Sequence, residues 1–176
     1  DGAANQGQVY ESYNIAALWK LPVIFVIENN KYGMGTSVNR SSAGDNLSDR
    51  GKAYGIVADI VDGMDVIAVR DAALKAMDYC RSGKGPYILE MKTYRYRGHS
   101  MSDPAKYRTR DEVDEIRQNS DPINNIKSIL DKFGLKDETF KVIDTEIKSI
   151  VANAATFAQE SLEPSESELF TDITIN

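Results

Sequence analysis

Two short polar motifs near the start of the chain have the residue types and the spacing to bind a metal ion together with a diphosphate. Asp1-Gly2 opens the chain, and Asn29-Asn30 follows after a segment long enough for one helix and one strand. Such a segment returns the chain to the edge of a parallel sheet where it began, so we expect Asp1 and Asn30 to lie close together. Carboxylate and amide oxygens suit magnesium, and Gly2 lets a diphosphate approach the backbone closely. The alternative is a pair of ordinary turns, because Asp-Gly and Asn-Asn are common turn dipeptides.

A second polar segment, residues 95–110, contains His99, the only histidine of the chain. A lone histidine more often has a structural role than a catalytic one. Basic side chains are concentrated around this segment, where they could face phosphates or simply be solvated. They are Lys92, Arg95, Arg97, Lys106, Arg108 and Arg110.

The sequence predicts alternating strands and helices as far as residue 94, and these elements must position the two polar segments. Apolar periodicity and turn residues predict strands over residues 23–28, 57–61 and 87–94. They predict helices over residues 8–20, 48–54 (capped by Ser48) and 69–81. The alternation indicates an α/β fold with a doubly wound, mostly parallel sheet. The loops 29–42 and 95–110 both follow strands, so we expect them at the ligand-binding edge of that sheet.

The pattern after Arg110 is helical only. Thr109 and Glu112 form a capping-box pattern for a helix to about residue 118, and Asp121-Pro122 begins another that ends near Gly134. Apolar residues at helical spacing predict a long amphipathic helix over residues 137–159, with one stripe that packs on its own domain.

Composition and charge exclude several classes of function. No apolar run is long enough to span a membrane. The single cysteine, Cys80, excludes an internal disulfide and suits a reducing compartment. The net charge is −6, and the residues after 110 are strongly acidic, which argues against general nucleic-acid binding.

Seven motifs stand out as a set. They are Asp1-Gly-Ala-Ala-Asn-Gln-Gly7, Ala17-Leu-Trp-Lys-Leu-Pro22, Glu28-Asn-Asn-Lys-Tyr-Gly-Met-Gly-Thr-Ser37, Asp62-Gly-Met-Asp65, Arg81-Ser-Gly-Lys-Gly-Pro86, Thr93-Tyr-Arg-Tyr-Arg-Gly-His-Ser-Met-Ser-Asp-Pro104 and Tyr107-Arg-Thr-Arg110. Together they closely resemble the alpha subunits of thiamine-diphosphate-dependent pyruvate dehydrogenases, through about residue 122 and more weakly to the tail. The resemblance implies the C-terminal half of a thiamine-diphosphate-binding fold. The family motif has a glycine before Asp1, so we expect this chain to be truncated within the motif and to lack one backbone contact to the diphosphate.

The resemblance implies a role for each candidate site residue. The side chains of Asp1 and Asn30 and the carbonyl of Tyr32 would hold magnesium. Backbone groups of Gly2 and Ala3 would contact the diphosphate of thiamine diphosphate. His99 would lie over that diphosphate, near the substrate channel, as the catalytic residue of this chain.

Two glutamates are not expected to act as acid or base. In the family, the glutamate that activates the cofactor belongs to the beta subunit. Glu28 is expected to support the Asn-Asn turn, and Glu11 is expected at the subunit contact.

The resemblance also implies a regulatory role for the two polar loops. Its residues are Ser37, Arg95, Ser100, Asp103, Tyr107 and Arg108. Arg95, Asp103, Tyr107 and Arg108 would order the loop, the alternative being incidental ion pairs of a solvated segment. Ser100 and Ser37 match serines that are phosphorylated in mitochondrial relatives, whereas Ala105-Lys106 replaces the stretch that bears a third. We expect both loops to be poorly packed until the cofactor binds.

The implied activity is oxidative decarboxylation of pyruvate with acetyl transfer to a lipoyl group of the acetyltransferase core. The chain would supply the magnesium and diphosphate half of a site shared with a beta subunit, in an alpha-two beta-two heterotetramer, and would be inactive as a fragment. Alternatives are the alpha subunit of acetoin or branched-chain 2-oxo acid dehydrogenase, which Gly33-Met-Gly-Thr-Ser37 disfavours, and a non-catalytic nucleotide-binding or scaffold domain. The expected location is the cytoplasm in a bacterium or the mitochondrial matrix in a eukaryote.

The resemblance divides the chain into two parts. Residues 1–110 would be the C-terminal half of the thiamine-diphosphate- and magnesium-binding domain, and residues 111–176 a helical extension with a subunit-contact tail. Four apolar residues of the tail have no obvious partner in a compact domain, the alternative being that the tail folds back on its own sheet. They are Leu169, Phe170, Ile173 and Ile175.

Overall fold

A three-stranded parallel sheet forms the centre of the structure, a computed structural model that describes residues 1–172. The strands of the described chain are β1 (Ile24–Asn29), β2 (Tyr32–Gly33), β3 (Thr36–Ser37), β4 (Val57–Asp62) and β5 (Tyr87–Lys92). The sheet has the order β1-β5-β4, with β5 paired in parallel to both neighbours. Asn29, Lys92 and Asp62 therefore end their strands side by side. The predicted α/β class with a mostly parallel sheet is confirmed.

Helices cover both faces of this sheet. The α-helices are α1 (Gly7–Leu18), α2 (Val38–Ser41), α3 (Val66–Arg81), α4 (Arg110–Ser120), α5 (Pro122–Lys132) and α6 (Asp137–Glu160), and 3-10 segments span Ala3–Asn5, Leu47–Tyr54 and Glu166–Phe170. On one face, Ile88 shares a buried cluster with Tyr13 of α1 and with Leu47. On the other, Leu89 shares one with Ala76 of α3. Successive residues of β5 thus supply both cores, which is why its first three residues, 87–89, are apolar without alternation.

Side-chain caps mark several helix starts at the predicted residues. Thr109 Oγ1 accepts a hydrogen bond from the N–H of Glu112 at 3.1 Å, and Asp121 Oδ1 accepts from Ile123 at 3.0 Å. The cap predicted at Ser48 is wrong. Ser48 lies inside the 3-10 segment, fully buried, and its N–H donates to a carboxylate instead. Residues 32–37, predicted as loop, form the small antiparallel pair β2–β3.

The chain divides into two compact units between Ile129 and Leu130, within α5. The first unit contains the sheet and both polar loops. In the second, α6 is the long helix that periodicity predicts, yet it contains no buried residue. Ile143, Ile147 and Ile150 of its apolar stripe are about half exposed, so the stripe does not form the core that we expected.

The tail is exposed as far as the structure describes it. Leu169 and Phe170 are 72% and 81% exposed, and Ile173 and Ile175 lie outside the described residues. Over residues 1–172, the helices are too short or too polar to cross a bilayer.

Candidate functional site

A cavity of about 580 Å³ opens at the carboxyl edge of the sheet. The residues predicted to bind cofactor or metal all line it: Asp1, Gly2, Ala3, Asn30, Tyr32 and His99. Arg95 lines it as well, whereas the other predicted regulatory residues lie outside its wall. These residues come from three separate segments, at the start of the chain, after β1 and after β5, so the parallel pairing of β1 with β5 brings them to one edge.

The carboxylate of Asp1 has an unusual environment in this wall. Its Oδ2 atom is buried and has no hydrogen-bond partner among the described residues. Buried polar atoms are normally satisfied, so an orphaned carboxylate oxygen in a cavity that Asn30 and Tyr32 also line is suited to a cation. Over residues 1–172, no three His, Cys, Asp or Glu side chains cluster closely enough to bind a metal by themselves. A cation here would therefore need amide, carbonyl or phosphate oxygens as further ligands.

Gly2 and Gly33 allow the two walls of the cavity to touch. A Cβ on Gly2 would lie 3.1 Å from the Cα of Gly33, and a Cβ on Gly33 would lie 3.0 Å from the Cα of Gly2. Larger residues at either position would push the segments apart. Gly2 is thus needed for the approach of Gly33, a contact that the sequence did not reveal.

A hydrogen-bonded turn presents the side chain of Asn30. The N–H of Asn30 donates to the carbonyl of Glu28 at 3.0 Å, and Asn30 Oδ1 accepts from the N–H of Tyr32 at 3.4 Å. Lys31 lies in the left-handed region with φ of +73°, held by a 3.2 Å bond from its N–H to Asn29 Oδ1. Glu28 therefore supports the turn through its backbone, while its side chain is exposed.

Arg95 connects the loop 95–110 to the cavity. Its Nη1 donates to the carbonyl oxygen of Tyr32 at 3.1 Å, and its Nη2 donates to the carbonyl of Met34 at 2.7 Å and to the hydroxyl of Tyr107 at 2.9 Å. A planar guanidinium can satisfy three acceptors in such a fork. The Tyr32 carbonyl keeps a second lone pair, which remains suited to a cation.

Asp103 organises the middle of the same loop. Its Oδ2 accepts from the N–H of His99 at 2.7 Å and from the hydroxyl of Tyr107 at 2.9 Å, and its Oδ1 accepts from the N–H of Ala105 at 2.8 Å. The bond from His99, followed by that from Ala105, lowers the pKa of the Asp103 carboxyl below its ordinary value. Asp103 thus fixes the backbone that carries His99, whose exposed ring lines the cavity.

Arg108 holds the loop together through contacts with its first residues. Its guanidinium donates to the carbonyls of Arg95 and Arg97 and lies 5.1 Å from the centre of the Tyr94 ring. The four residues predicted to order the loop are therefore joined by hydrogen bonds or ring contacts. Residues 99–102 in the middle of the loop are nevertheless exposed, and the expectation that both loops pack poorly until the cofactor binds stays a prediction.

Glu112 anchors two tyrosines of this region. Its Oε1 accepts from the hydroxyl of Tyr94 at 2.7 Å and more weakly from that of Tyr32 at 3.4 Å. Burial, together with the bond to Glu112, raises the pKa of Tyr94 to about 12. The side chain of Glu112 consequently completes no capping box, and Tyr32 is held through its ring as well as its carbonyl.

A buried carboxylate, Glu90, is the polar residue that sequence reasoning missed. It is fully enclosed on the central strand, where Oε1 accepts from Asn29 Nδ2 at 2.8 Å and pairs with Lys92 Nζ at 2.7 Å, while Oε2 accepts from the N–H of Ser48 at 2.8 Å. Burial by itself would raise its pKa, but the bonds from Lys92, Asn29 and Ser48 outweigh burial and lower the pKa. The signal was present, since a glutamate interrupts an otherwise apolar strand, and buried acids require partners.

Comparison with known proteins identifies the family of the chain. The profile of the family described as "Dehydrogenase E1 component" matches residues 1–167. The chain belongs to this family.

It is 61% identical to the "Pyruvate dehydrogenase E1 component subunit alpha" of Rhizobium meliloti (strain 1021), over 99% of this chain and 51% of that protein. It is 57% identical to the protein of the same name from Zymomonas mobilis, over 99% of this chain and 49% of that protein. It is 53% identical to the "Pyruvate dehydrogenase E1 component subunit alpha, somatic form, mitochondrial" of Homo sapiens, over 96% of this chain and 43% of that protein. The chain thus spans about half the length of the curated relatives it matches.

Proposed function

We propose that this chain provides the magnesium- and diphosphate-binding part of the alpha subunit of a thiamine-diphosphate-dependent pyruvate dehydrogenase. The observation that carries the proposal is the convergence of Asp1, Asn30, Tyr32 and His99 on one cavity in which a carboxylate oxygen lacks a partner. Membership of the dehydrogenase E1 family supports the cofactor. The names of the similar proteins support pyruvate rather than acetoin or a branched-chain 2-oxo acid.

In the proposed reaction, pyruvate loses CO2, and its two-carbon remainder is oxidised to an acetyl group while the disulfide of a lipoyl group is reduced, one lipoyl sulfur accepting the acetyl group and the other leaving as a thiol. Bound thiamine diphosphate supplies the carbanion-stabilising centre that this decarboxylation needs. The Asp1 carboxylate, the Asn30 amide oxygen and the Tyr32 carbonyl would hold magnesium, while backbone groups of Gly2 and Ala3 would bind the diphosphate.

His99 acts at the rim of the proposed site. Its backbone is fixed by Asp103, and its ring faces the cavity, from where it can donate a hydrogen bond to a phosphate oxygen. A neutral imidazole has one donor nitrogen, and a protonated one has two and a charge. His99 would thus bind and orient the diphosphate.

The proposed partners follow from the incomplete set of acid–base groups. The described residues near the cavity offer no glutamate side chain aimed into it, since Glu90 and Glu112 are both engaged elsewhere. We infer that a beta subunit completes the site in an alpha-two beta-two heterotetramer, and that a lipoyl-bearing acetyltransferase core receives the acetyl group. In a eukaryote this assembly would be mitochondrial, and in a bacterium cytoplasmic.

The test is the variant Asp1→Ala in the complete protein, coexpressed with its beta subunit. Titration calorimetry with thiamine diphosphate and Mg²⁺ should show at least a hundredfold loss of affinity, because the oxygen with no other partner is removed. The control Asp71→Ala removes an exposed carboxylate of α3, which contacts Arg70, and should bind normally. The metal assignment is wrong if the two variants bind equally well.

A second measurement tests the substrate. The assembled enzyme should turn over pyruvate faster than acetoin or a branched-chain 2-oxo acid. An assembly that binds no thiamine diphosphate in the presence of Mg²⁺ would instead favour a non-catalytic scaffold.

A further inference from the structure

The buried carboxylate of Glu90 connects both walls of the cavity, although it does not line it. The first connection runs through Asn29, whose Nδ2 donates to Glu90 at 2.8 Å. The Oδ1 atom of the same amide accepts from the N–H of Lys31 at 3.2 Å and holds that residue at its positive φ. The turn stabilised in this way presents the side chain of Asn30 and the carbonyl of Tyr32. The side-chain amide of Asn29 therefore links Glu90 to the turn that carries two proposed magnesium ligands, Asn30 and Tyr32.

The second connection runs through the 3-10 segment Leu47–Tyr54. The N–H of Ser48 donates to Glu90 Oε2 at 2.8 Å and fixes the start of this segment on the sheet. Two residues later, Arg50 Nη1 donates to the carbonyl of Ala4 at 2.8 Å. Ala4 belongs to the segment whose backbone is proposed to contact the diphosphate. The opposite wall is thus tied to the same carboxylate.

Enclosing a charge in this position is costly unless its partners compensate. An apolar side chain in the middle of β5 would avoid the desolvation of a carboxylate, and removing one partner from a buried charge leaves the other uncompensated. Glu90 makes contacts that an apolar residue cannot make: those with Asn29 and Ser48 lead to segments of the cavity wall, and the ion pair with Lys92 compensates the buried charge. Stability of the sheet alone would not require a carboxylate there.

We propose that Glu90 is a positioning residue that sets the two walls of the magnesium and diphosphate site at their binding distance, an inference that rests on the proposed function. Glu90 does not touch the bound groups. It acts through Asn29 on one side and through Ser48 and Arg50 on the other.

The test is Glu90→Gln in the complete protein assembled with its beta subunit. The variant keeps the size of the side chain but replaces a carboxylate that accepts from three donors with an amide, in which only the oxygen accepts and the nitrogen donates. We expect amide hydrogen exchange over residues 3–7 and 29–36 to be at least tenfold faster. We also expect the Kd for thiamine diphosphate at fixed Mg²⁺ to rise at least tenfold.

A second carboxylate of the same sheet provides a matched control. Asp59 on β4 accepts from the hydroxyl of Tyr87 at 2.7 Å and from Lys75 Nζ at 2.7 Å, with no residue of the cavity among these partners. Asp59→Asn should lower thermal stability without changing exchange in the two segments or the Kd. If Glu90→Gln only lowered stability, it would behave as Asp59→Asn does, with unchanged hydrogen exchange over residues 3–7 and 29–36 and an unchanged Kd for thiamine diphosphate.

A rescue variant separates positioning from charge loss. Adding Asn29→Asp to Glu90→Gln exchanges the amide and the carboxylate, so that the bond between positions 29 and 90 is retained with its direction reversed. Exchange over residues 29–36 should return to within about threefold of the wild type. If Glu90→Gln does not fold, Arg50→Met tests the second connection alone, with faster exchange expected over residues 3–7 and not over 29–36.

The outcomes distinguish this inference from the proposed function. Wild-type protein that binds thiamine diphosphate, with unchanged exchange and affinity in Glu90→Gln and Arg50→Met, overturns the role of Glu90 and leaves the function intact. Faster exchange in both segments, with no cofactor binding by the wild type, supports the positioning and contradicts the function.

Discussion

Arg95 Nη1 donates a 3.1 Å hydrogen bond to the carbonyl oxygen of Tyr32, which joins the loop 95–110 to a proposed magnesium ligand. The same guanidinium reaches Met34 and Tyr107. Movement of the loop must therefore break bonds to the cavity wall. The proposed cofactor site and the proposed regulatory loop are parts of one hydrogen-bonded structure.

Replacing Arg95 with lysine should uncouple the loop from the cavity. A lysine ammonium carries the charge but lacks the planar fork that satisfies three acceptors. In the assembled protein, Arg95→Lys should weaken thiamine diphosphate binding about tenfold, roughly 1.4 kcal/mol, and should speed proteolysis within residues 95–110. Arg70→Lys on α3, where Arg70 contacts Asp71, is the matched control. Unchanged affinity and proteolysis in Arg95→Lys would show that the contacts to Tyr32 and Met34 do not couple the two segments.

A negative charge at Ser100 should disorder the loop. Ser100 is exposed and immediately follows His99, whose N–H donates to the Asp103 carboxylate, so an added anion would stand one residue from the bond that fixes His99. Phosphorylation adds about −1.5 to −2 charge units, and Ser100→Glu adds one of the same sign. We expect Ser100→Glu to abolish pyruvate turnover in the assembled enzyme and Ser100→Gln, of similar size, to retain most of it. Equal activities of the two variants would contradict an electrostatic mechanism.

The hydroxyl of Tyr94 should contribute stability that is lost in alkali. Burial and the bond to Glu112 raise its pKa from 10.0 to about 12, so the folded state favours the protonated form. This contribution is complete below pH 10 and declines as the pH rises towards 12. Tyr94→Phe should lower the free energy of unfolding by about 1.5 kcal/mol at neutral pH, and its stability should fall less steeply over that alkaline range. Chemical unfolding at several pH values measures both effects, with Tyr10→Phe on α1 as the control. Parallel pH curves for wild type and Tyr94→Phe would contradict the assignment.

The exposed tail should contribute to assembly. Leu169 and Phe170 are largely exposed, and contiguous exposed apolar groups often mark contact surfaces. Deleting residues 165–176 from the complete alpha chain should weaken its heterotetramer with beta, as measured by sedimentation. The full-length alpha chain without beta should self-associate or be poorly soluble and should lack pyruvate turnover. A stable, active alpha chain in the absence of beta would refute the shared site.

Local signals in the sequence were sufficient for the parallel strands and the long helices, although not for the short pair β2–β3. The strands, the long helices and the caps at Thr109 and Asp121 follow from short-range patterns, because capping bonds and apolar periodicity involve neighbouring residues. The convergence of Asp1 and Asn30 was also predictable, since a helix followed by a parallel strand returns the chain to one edge. The identity of the residues at that edge depended on the resemblance to known motifs.

Long-range packing decided what the sequence left open. The position of β5 between β1 and β4 depends on pairing between distant segments, and the same pairing encloses Glu90 and gives it partners at positions 29, 48 and 92. Serine is a common residue at helix N-caps, which is why Ser48 was predicted to be one. In the structure its buried N–H instead donates to the carboxylate of Glu90 on β5. Glu112 likewise bonds Tyr94 rather than its own helix start. Periodicity and spacing describe the residue types of a segment. Tertiary structure determines the partner of a buried polar group. A buried group without a hydrogen bond is costly, so it pairs with whatever donor or acceptor packing brings close, even one that is distant in the sequence.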